Sequence, residues 1–234
     1  MELIVAENIN KSYQSGEVSV KALKDISFKI EVASLVSFIG PSGSGKTTLL
    51  NLIGCLDKPT SGALKIADTD VFGLDRRKAA SFRGKNIGFI FQDFNLIPVL
   101  TVYENVEYPL LMVQDVPVAD RNKRVMTLLD AVGVADQKDK YPDQISGGQK
   151  QRVSIARALV TKTKLVLADE PTANLDHESA YMVINLMKKM KDDLGTTFIF
   201  STHDQKIVGE VETIYTLEDG ALTSREDTGR VKDV

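Results

Sequence analysis

The stretch that most constrains this chain is Gly40-Pro41-Ser42-Gly43-Ser44-Gly45-Lys46-Thr47, which fits G-x-x-x-x-G-K-[ST] in the setting where that pattern has physical meaning. Before it, Leu35-Val36-Ser37-Phe38-Ile39 is short, apolar and rich enough in β-formers for a buried strand. After it, Thr48-Leu49-Leu50-Asn51-Leu52-Ile53 is apolar on one face at helical spacing. Glycines let successive backbone N–H groups turn inward and approach an anion, and the following helix start adds unsatisfied donors and a positive dipole end. Lys46 supplies a point charge for outer phosphates, and the Thr47 hydroxyl is placed for Mg²⁺. A Gly-Ser turn that merely precedes a lysine is the alternative, and both flanks argue against it. The loop reads as a phosphate cradle.

Composition narrows what surrounds the cradle. A chain of 234 residues, 43% hydrophobic and 26% charged, suits one large α/β domain or two small ones. The formal net charge of −3 provides no global field toward nucleic acid or anionic lipid, so a membrane role has to come through a protein partner. Cys55 is the single cysteine, which excludes an internal disulfide; it reads as a small apolar residue with no chemistry. No apolar run approaches the ~18 to 20 residues that span a bilayer, and the start lacks the basic-then-apolar build of a signal peptide. A cytosolic protein is expected.

In chain order, Leu3 to Ala6, Val18 to Leu23 and Ile26 to Ile30 predict an antiparallel β region with a polar turn around Ser15-Gly16-Glu17. Tyr13 lies at its edge, either as a packed surface tyrosine or as a ring on which a purine stacks. Ala63 to Ile66 predicts a short strand, and the basic segment Asp75 to Lys85 a solvated face. Asn86 to Phe91 is a second buried strand ending on Gln92. Phe94-Asn95-Leu96-Ile97-Pro98-Val99-Leu100 then forms an apolar, irregular loop that needs a cover. Val125, Leu128, Leu129 and Val132 mark a helical face that Gly133 stops.

Ser146-Gly147-Gly148-Gln149 is a capping box in form, with Val153, Ala156, Leu159 and Val160 continuing the helix. Its bare glycine start is either a well-capped helix and nothing more or a second phosphate-facing helix end. Leu165 to Ala168 delivers Asp169 and Glu170 to a strand C-terminus, where α/β folds place ligand sites. Beside a cradle, Asp169 suits a metal's shell and Glu170 suits polarising or deprotonating water. A helix over about Glu178 to Leu194 follows, with Val183, Leu186, Met187, Met190 and Leu194 as its buried stripe. Thr197 to Thr202 is a strand ending at His203, either structural or a γ-phosphate sensor. Glu218-Asp219-Gly220 signals a hairpin, and the polar tail from Ser224 is expected to be loose.

These residues together resemble the nucleotide-binding subunit of an ATP-binding cassette (ABC) transporter, over nearly the whole chain. Walker A is Gly40 to Thr47, the Q-loop is Gln92, and the signature is Ile145 to Gln149. Walker B with its glutamate is Leu165 to Glu170, the D-loop is Asn174-Leu175-Asp176, the switch is His203, and Tyr13 falls at the A-loop position. Ile145 replaces the commoner Leu, a volume-conserving change. Ala33-Ser34 replaces the usual Gly-Glu, which puts only that turn in question. Gly54 to Gly62, Gly88 to Pro98 and Glu104-Asn105-Val106 look like the LolD/MacB-type branch, with the FtsE type, which controls cell-wall hydrolysis, second.

The resemblance implies an α/β fold: a P-loop NTPase core with a mostly parallel sheet, an N-terminal antiparallel β region and an α-helical subdomain at 93–160, within a domain spanning 1–223. It implies an ATPase that uses Mg²⁺, with Tyr13, Gly40, Ser42, Gly43, Ser44, Gly45, Lys46, Thr47 and Thr48 holding ATP. Thr47, Gln92 and Asp169 serve the metal, while Glu170, His203, Gln92 and Lys46 serve the chemistry. Ser146, Gly147, Gly148 and Gln149 of a second copy complete each site in a head-to-tail dimer. It implies an integral membrane permease as partner on the cytoplasmic face of the membrane, a periplasmic adaptor in the efflux case, and no nucleic acid. Work on lipoprotein release or MacB-like export follows from the branch; a non-transport ABC ATPase is the alternative from another class. Phe94, Leu96, Ile97 and Leu100 are expected to help form a groove for a short helix of the permease.

Overall fold

The computed structural model describes residues 1–16, 18–114, 116–202 and 209–228, and the chain divides into two compact units, Met1–Ala80 with Thr197–Val234, and Ser81–Thr196.

In the first unit, β1 (Glu2–Ser15) and β2 (Val18–Glu31) pair antiparallel in a long ribbon, with Val5 opposite Lys29 and Tyr13 opposite Val20. Both strands run 14 residues, and Tyr13 sits inside β1, near its C-terminal end. The register shifts between Ala6 and Ile9, where Asn8 takes φ 48, a left-handed conformation that asparagine tolerates better than most residues. The bulge keeps Ile4, Ala6 and Ile9 on the buried side. β4 (Ser61–Ile66) pairs with the other edge of β1, and β5 (Thr69–Asp70) closes that sheet.

The cradle belongs to a second set of strands in the same unit. β3 (Leu35–Ile39) lies parallel between β8 (Thr197–Thr202) and β9 (Thr213–Glu218), with Val36 opposite both Ile199 and Thr213. Leu35 to Phe38 and all of β8 are buried, which is why these strands read as apolar runs rather than alternating ones. The rings of Phe28, Phe38 and Tyr215 meet at 5.3–5.8 Å, and the Tyr215 hydroxyl donates to the Lys29 carbonyl at 2.9 Å. Ala33 adopts φ 52, so the turn before β3 keeps a left-handed backbone despite its Cβ.

β10 (Ala221–Asp227) returns antiparallel on β9 through Asp219 and Gly220, both at positive φ, as the hairpin signal predicts. The expected loose tail is therefore ordered to Asp227: polar side chains from Ser224 onward face outward while the backbone pairs with β9. Strand pairing satisfies main-chain groups whatever the side chains are.

The chain passes into the second unit within α2 (Arg76–Asn86). There β6 (Ile87–Ile90) pairs in parallel with β7 (Leu165–Asp169). Between them come α3 (Val102–Val113), α4 (Val118–Ala131) and α5 (Gly147–Leu159), and α6 (His177–Leu194) follows β7. This unit also holds β6, β7 and α6 beside those helices. α5 is its centre, packed on β6, α3, α4 and α6, with Val153, Ile155, Ala156 and Leu159 buried. On α6, Val183, Met187 and Met190 are buried as expected, but Leu194 is 51% exposed and Leu186 half-buried. Ala180, Ile184 and Lys191 take the remaining inner positions, a rotation of the stripe by about one residue.

Candidate functional site

In the first unit, β3 feeds the loop and α1 (Lys46–Ile53) leaves it. Gly40, Gly43 and Gly45 have φ 149, 79 and 105, so the loop's course requires glycine. At Gly40 a Cβ would come within 2.0 Å of the Leu217 carbonyl oxygen, and at Gly45 within 2.7 Å of that of Ala22. Gly45 caps α1 without any side-chain hydrogen bond, so the donors at this helix start are left to a ligand. The Ser44 hydroxyl oxygen is buried and has no hydrogen-bond partner among the described residues. An orphan donor inside a glycine cradle is what a phosphate oxygen would satisfy.

Lys46 is buried, and its ammonium donates back to the carbonyls of Gly40 (2.8 Å) and Pro41 (3.0 Å). The charge is thus held over the loop it is expected to serve. Thr47 is exposed, while Leu49, Leu50, Leu52 and Ile53 anchor α1. Tyr13 is 41% exposed, and its hydroxyl donates to Asp57 Oδ2 at 2.8 Å. Burial and the Asp57 bond raise the Tyr13 phenol above its ordinary value.

In the second unit, the segment after β6 carries Gln92, exposed at the surface. β7 ends at Asp169, and Glu170 follows at φ 47. A glutamate in the left-handed region is strained, and such strain persists where the surrounding chain over-determines it. Here the Glu170 carbonyl accepts from the Ala173 N–H at 3.2 Å, and buried Gln151 of α5 donates its side-chain amide to the Pro171 carbonyl. Asp169 and Glu170 are both half-buried at the strand end.

Ser146 is the N-cap of α5, and the capping box is complete. Its hydroxyl accepts from the Gln149 N–H (3.3 Å), and its own N–H donates to Gln149 Oε1 (2.9 Å). Gly147 and Gly148 leave the first two helical positions without side chains. A Cβ at Gly147 would only touch Leu175, Asn174 and Phe94, so that residue is not required by close packing. His203 lies outside the described residues.

Phe94, Leu96, Ile97 and Leu100 are half-buried rather than exposed. The loop folds onto residues to which sequence reasoning assigned no such role. Asn105, fully buried on α3, accepts from the Ile97 N–H (2.7 Å) and donates to the carbonyls of Ile97, Leu100 and Thr101. Arg157 of α5 donates to the carbonyl of Phe94 at 2.8 Å and to that of Asn95, and burial pulls its guanidinium down to about 10. Apolar exposure falls instead on Val99 (77%) and on Tyr108, Leu111 and Met112 of α3. Nearby, a cavity of about 230 Å³ is lined by Phe89, Phe91, Asn95, Pro109, Val113 and Arg157. A polar residue at a core position of α3 was the available signal for Asn105; Arg157 gave none, because arginine at a helix end is common.

Residues 23–173 match the family model described as ABC transporter. The chain belongs to the ABC transporter family. The cassette is 41% identical over 224 residues to the lipoprotein-releasing system ATP-binding protein LolD of Pseudoalteromonas translucida, covering 96% of each chain. It is 40% identical over its full length to the macrolide export ATP-binding/permease protein MacB of Syntrophobacter fumaroxidans, of which it spans 33%. Among solved structures it resembles an ATP-binding cassette in a dimeric, post-hydrolysis state with ADP and Pi. There the TM-score is 0.88 and the identity 40%, over 97% of this chain and 99% of the other. The cassette is therefore an ABC ATPase. Among the described residues, no helix is long and apolar enough to cross a membrane.

Proposed function

We propose that two copies of this cassette close head to tail around two ATP molecules, and that closure drives an integral membrane permease of the lipoprotein-releasing or MacB-like type. The observation that carries this reading is the 40% identity to a cassette captured as a dimer with ADP and Pi, over 97% of this chain. The permease follows by likeness to LolD and MacB, the second of which joins an ATP-binding part to a permease by name. Work at the cytoplasmic face belongs to the same proposal, as does a periplasmic adaptor if the export type is the right one.

Within that cycle the cradle from Gly40 to Thr47 binds the phosphates through backbone N–H groups. Lys46 moves its ammonium from the loop carbonyls to the β- and γ-phosphates. The exposed face of Tyr13 stacks on the adenine. The Thr47 hydroxyl, the Asp169 carboxylate and the Gln92 amide oxygen are hard donors of the kind Mg²⁺ takes, and they are the residues proposed to hold it. Bound Mg²⁺ supplies neutralisation of charge on the phosphate oxygens. Glu170 accepts the proton of the attacking water, His203 senses the γ-phosphate, and Ser146 to Gln149 of the opposite copy close over it. Since such catalysis is mostly positioning and electrostatics, one copy alone hydrolyses poorly. The permease helix docks on the Phe94 to Leu100 loop and the cavity beside it, with Val99 and the outer face of α3 at the rim.

Glu170→Gln keeps size and removes the base, so hydrolysis falls by roughly 10² or more while ATP still binds. Sedimentation in saturating Mg-ATP then shows a dimer that the wild type forms only transiently. A monomer for both proteins under all nucleotide conditions would refute the sandwich.

A further inference from the structure

Lys11 and Tyr13, two residues apart on β1, share a third residue, Asp57, in the turn that follows α1. Asp57 Oδ1 accepts from the Lys11 ammonium at 2.7 Å and from the Lys58 N–H at 2.7 Å, and Oδ2 accepts from the Tyr13 hydroxyl at 2.8 Å. The Lys11 ammonium also donates to the Lys58 carbonyl (2.7 Å) and lies 4.6 Å from the centroid of the Tyr13 ring. That is within the range of a cation–π contact. Two further bonds stitch the same segments together: Ser12 N–H to the Thr60 hydroxyl (2.9 Å) and Thr60 N–H to the Asn10 carbonyl (2.8 Å).

The arrangement is unequal on the two sides of the ring. The lysine side chain is 11% exposed and the aspartate 32%, whereas Tyr13 as a whole is 41% exposed. The hydroxyl is fixed by Asp57, the ammonium lies over the ring, and Tyr13 keeps substantial surface open to solvent. An ion pair that served stability alone would not need a phenol and a cation on the same aromatic. An exposed aromatic held in one rotamer has, by contrast, already lost the freedom that binding would otherwise remove.

We propose that Lys11 and Asp57 are positioning residues for base recognition, locking the Tyr13 ring so that its open surface is preset to receive the purine of the nucleotide. The proposal rests on the reading of Tyr13 as the adenine-stacking residue. Burial pushes the Asp57 carboxyl up, but the bonds from Lys11, Tyr13 and the Lys58 N–H together with the Lys11 charge outweigh it. The carboxyl is therefore held below its ordinary value.

The test compares a nucleotide with its phosphates alone. Calorimetry measures affinities of the full chain for Mg-ATP and for Mg-tripolyphosphate in the wild type and in Asp57→Asn, Lys11→Met, Tyr13→Phe and Tyr13→Ala. Releasing one side chain from a fixed rotamer corresponds to about two- to tenfold in affinity. Asp57→Asn and Lys11→Met should therefore weaken ATP by about that factor, raise KM and not kcat, and leave tripolyphosphate unchanged. Tyr13→Phe keeps the ring but removes the hydroxyl that Asp57 holds. It should match Asp57→Asn, and the double variant should lose no more than either single one. If Asp57→Asn does not fold, Tyr13→Phe alone carries the comparison. Equal losses for ATP and tripolyphosphate, additive losses in the double variant, or no loss at all overturn the clamp. Tyr13→Ala separates the two readings: if it weakens ATP alone while the clamp variants behave as wild type, only the clamp fails. If it leaves ATP affinity unchanged, the stacking role fails and the clamp with it.

Discussion

The side-chain amide of Asn174 donates to the main-chain carbonyl of Gln92 at 3.1 Å, and also to Asp93 Oδ1 at 2.9 Å. Two segments 81–82 residues apart in sequence are thereby tied together: the stretch that follows Glu170 and the stretch that follows β6. One carries the proposed base and the other a proposed metal donor that leads into the docking loop. A change at either reaches the other through a single side chain.

Asn174→Ala removes both bonds from exposed residues, so little stability is lost, about 1 kcal/mol or less. The expected effect is on turnover: affinity for ATP is retained and the single-turnover rate falls by roughly tenfold, because a misplaced positioning group costs rate rather than binding. Rapid-quench measurement beside calorimetry checks the split.

Lys46→Ala deletes an ammonium that bonds two loop carbonyls and is proposed to reach the phosphates. Charge-assisted bonds contribute about 1.5–3 kcal/mol, so ATP affinity should fall roughly 10- to 100-fold, and turnover with it. Unchanged affinity by calorimetry removes Lys46 from the site.

Asn105→Leu leaves the Ile97 N–H and the carbonyls of Ile97, Leu100 and Thr101 without their buried partner. A loss of about 1–3 kcal/mol in unfolding free energy is expected, since a buried donor without a partner costs its full desolvation. Faster proteolysis between Asp93 and Thr101, with cleavage elsewhere unchanged, identifies the loop as the part released. Urea unfolding and limited digestion read the two effects separately.

Asp57 titrates below its ordinary value in the folded chain. A carboxyl depressed by folding contributes stability that is fully present above its unfolded pKa, about 3.9, and is lost as pH falls through the lower folded value. The difference in unfolding free energy between wild type and Asp57→Asn should therefore be flat from pH 7 to about 5 and shrink below about 4. A difference that instead grew toward low pH would contradict the ion pair.

Much of this cassette was legible in the sequence because its governing interactions are local. The Gly40 to Thr47 loop needs positive φ at glycines and a strand and helix on either side, all within about 20 residues. The capping box at Ser146 and the hairpin at Asp219-Gly220 are likewise set by neighbouring residues, and they form as read. Periodicity placed α5 and the inner strands for the same reason.

Tertiary structure alone decided what distant residues do to one another. Sequence order does not bring Asp57 to Tyr13, Asn174 to Gln92, or Arg157 to the Phe94 carbonyl; each pairing depends on how separate elements pack. Packing also turned the Phe94 to Leu100 loop half inward, because buried Asn105 satisfies main-chain groups that an exposed loop would have left to water. It ordered the chain past Ser224, where side-chain polarity suggested a tail, because a β-ladder is held by the backbone and is blind to the outward face.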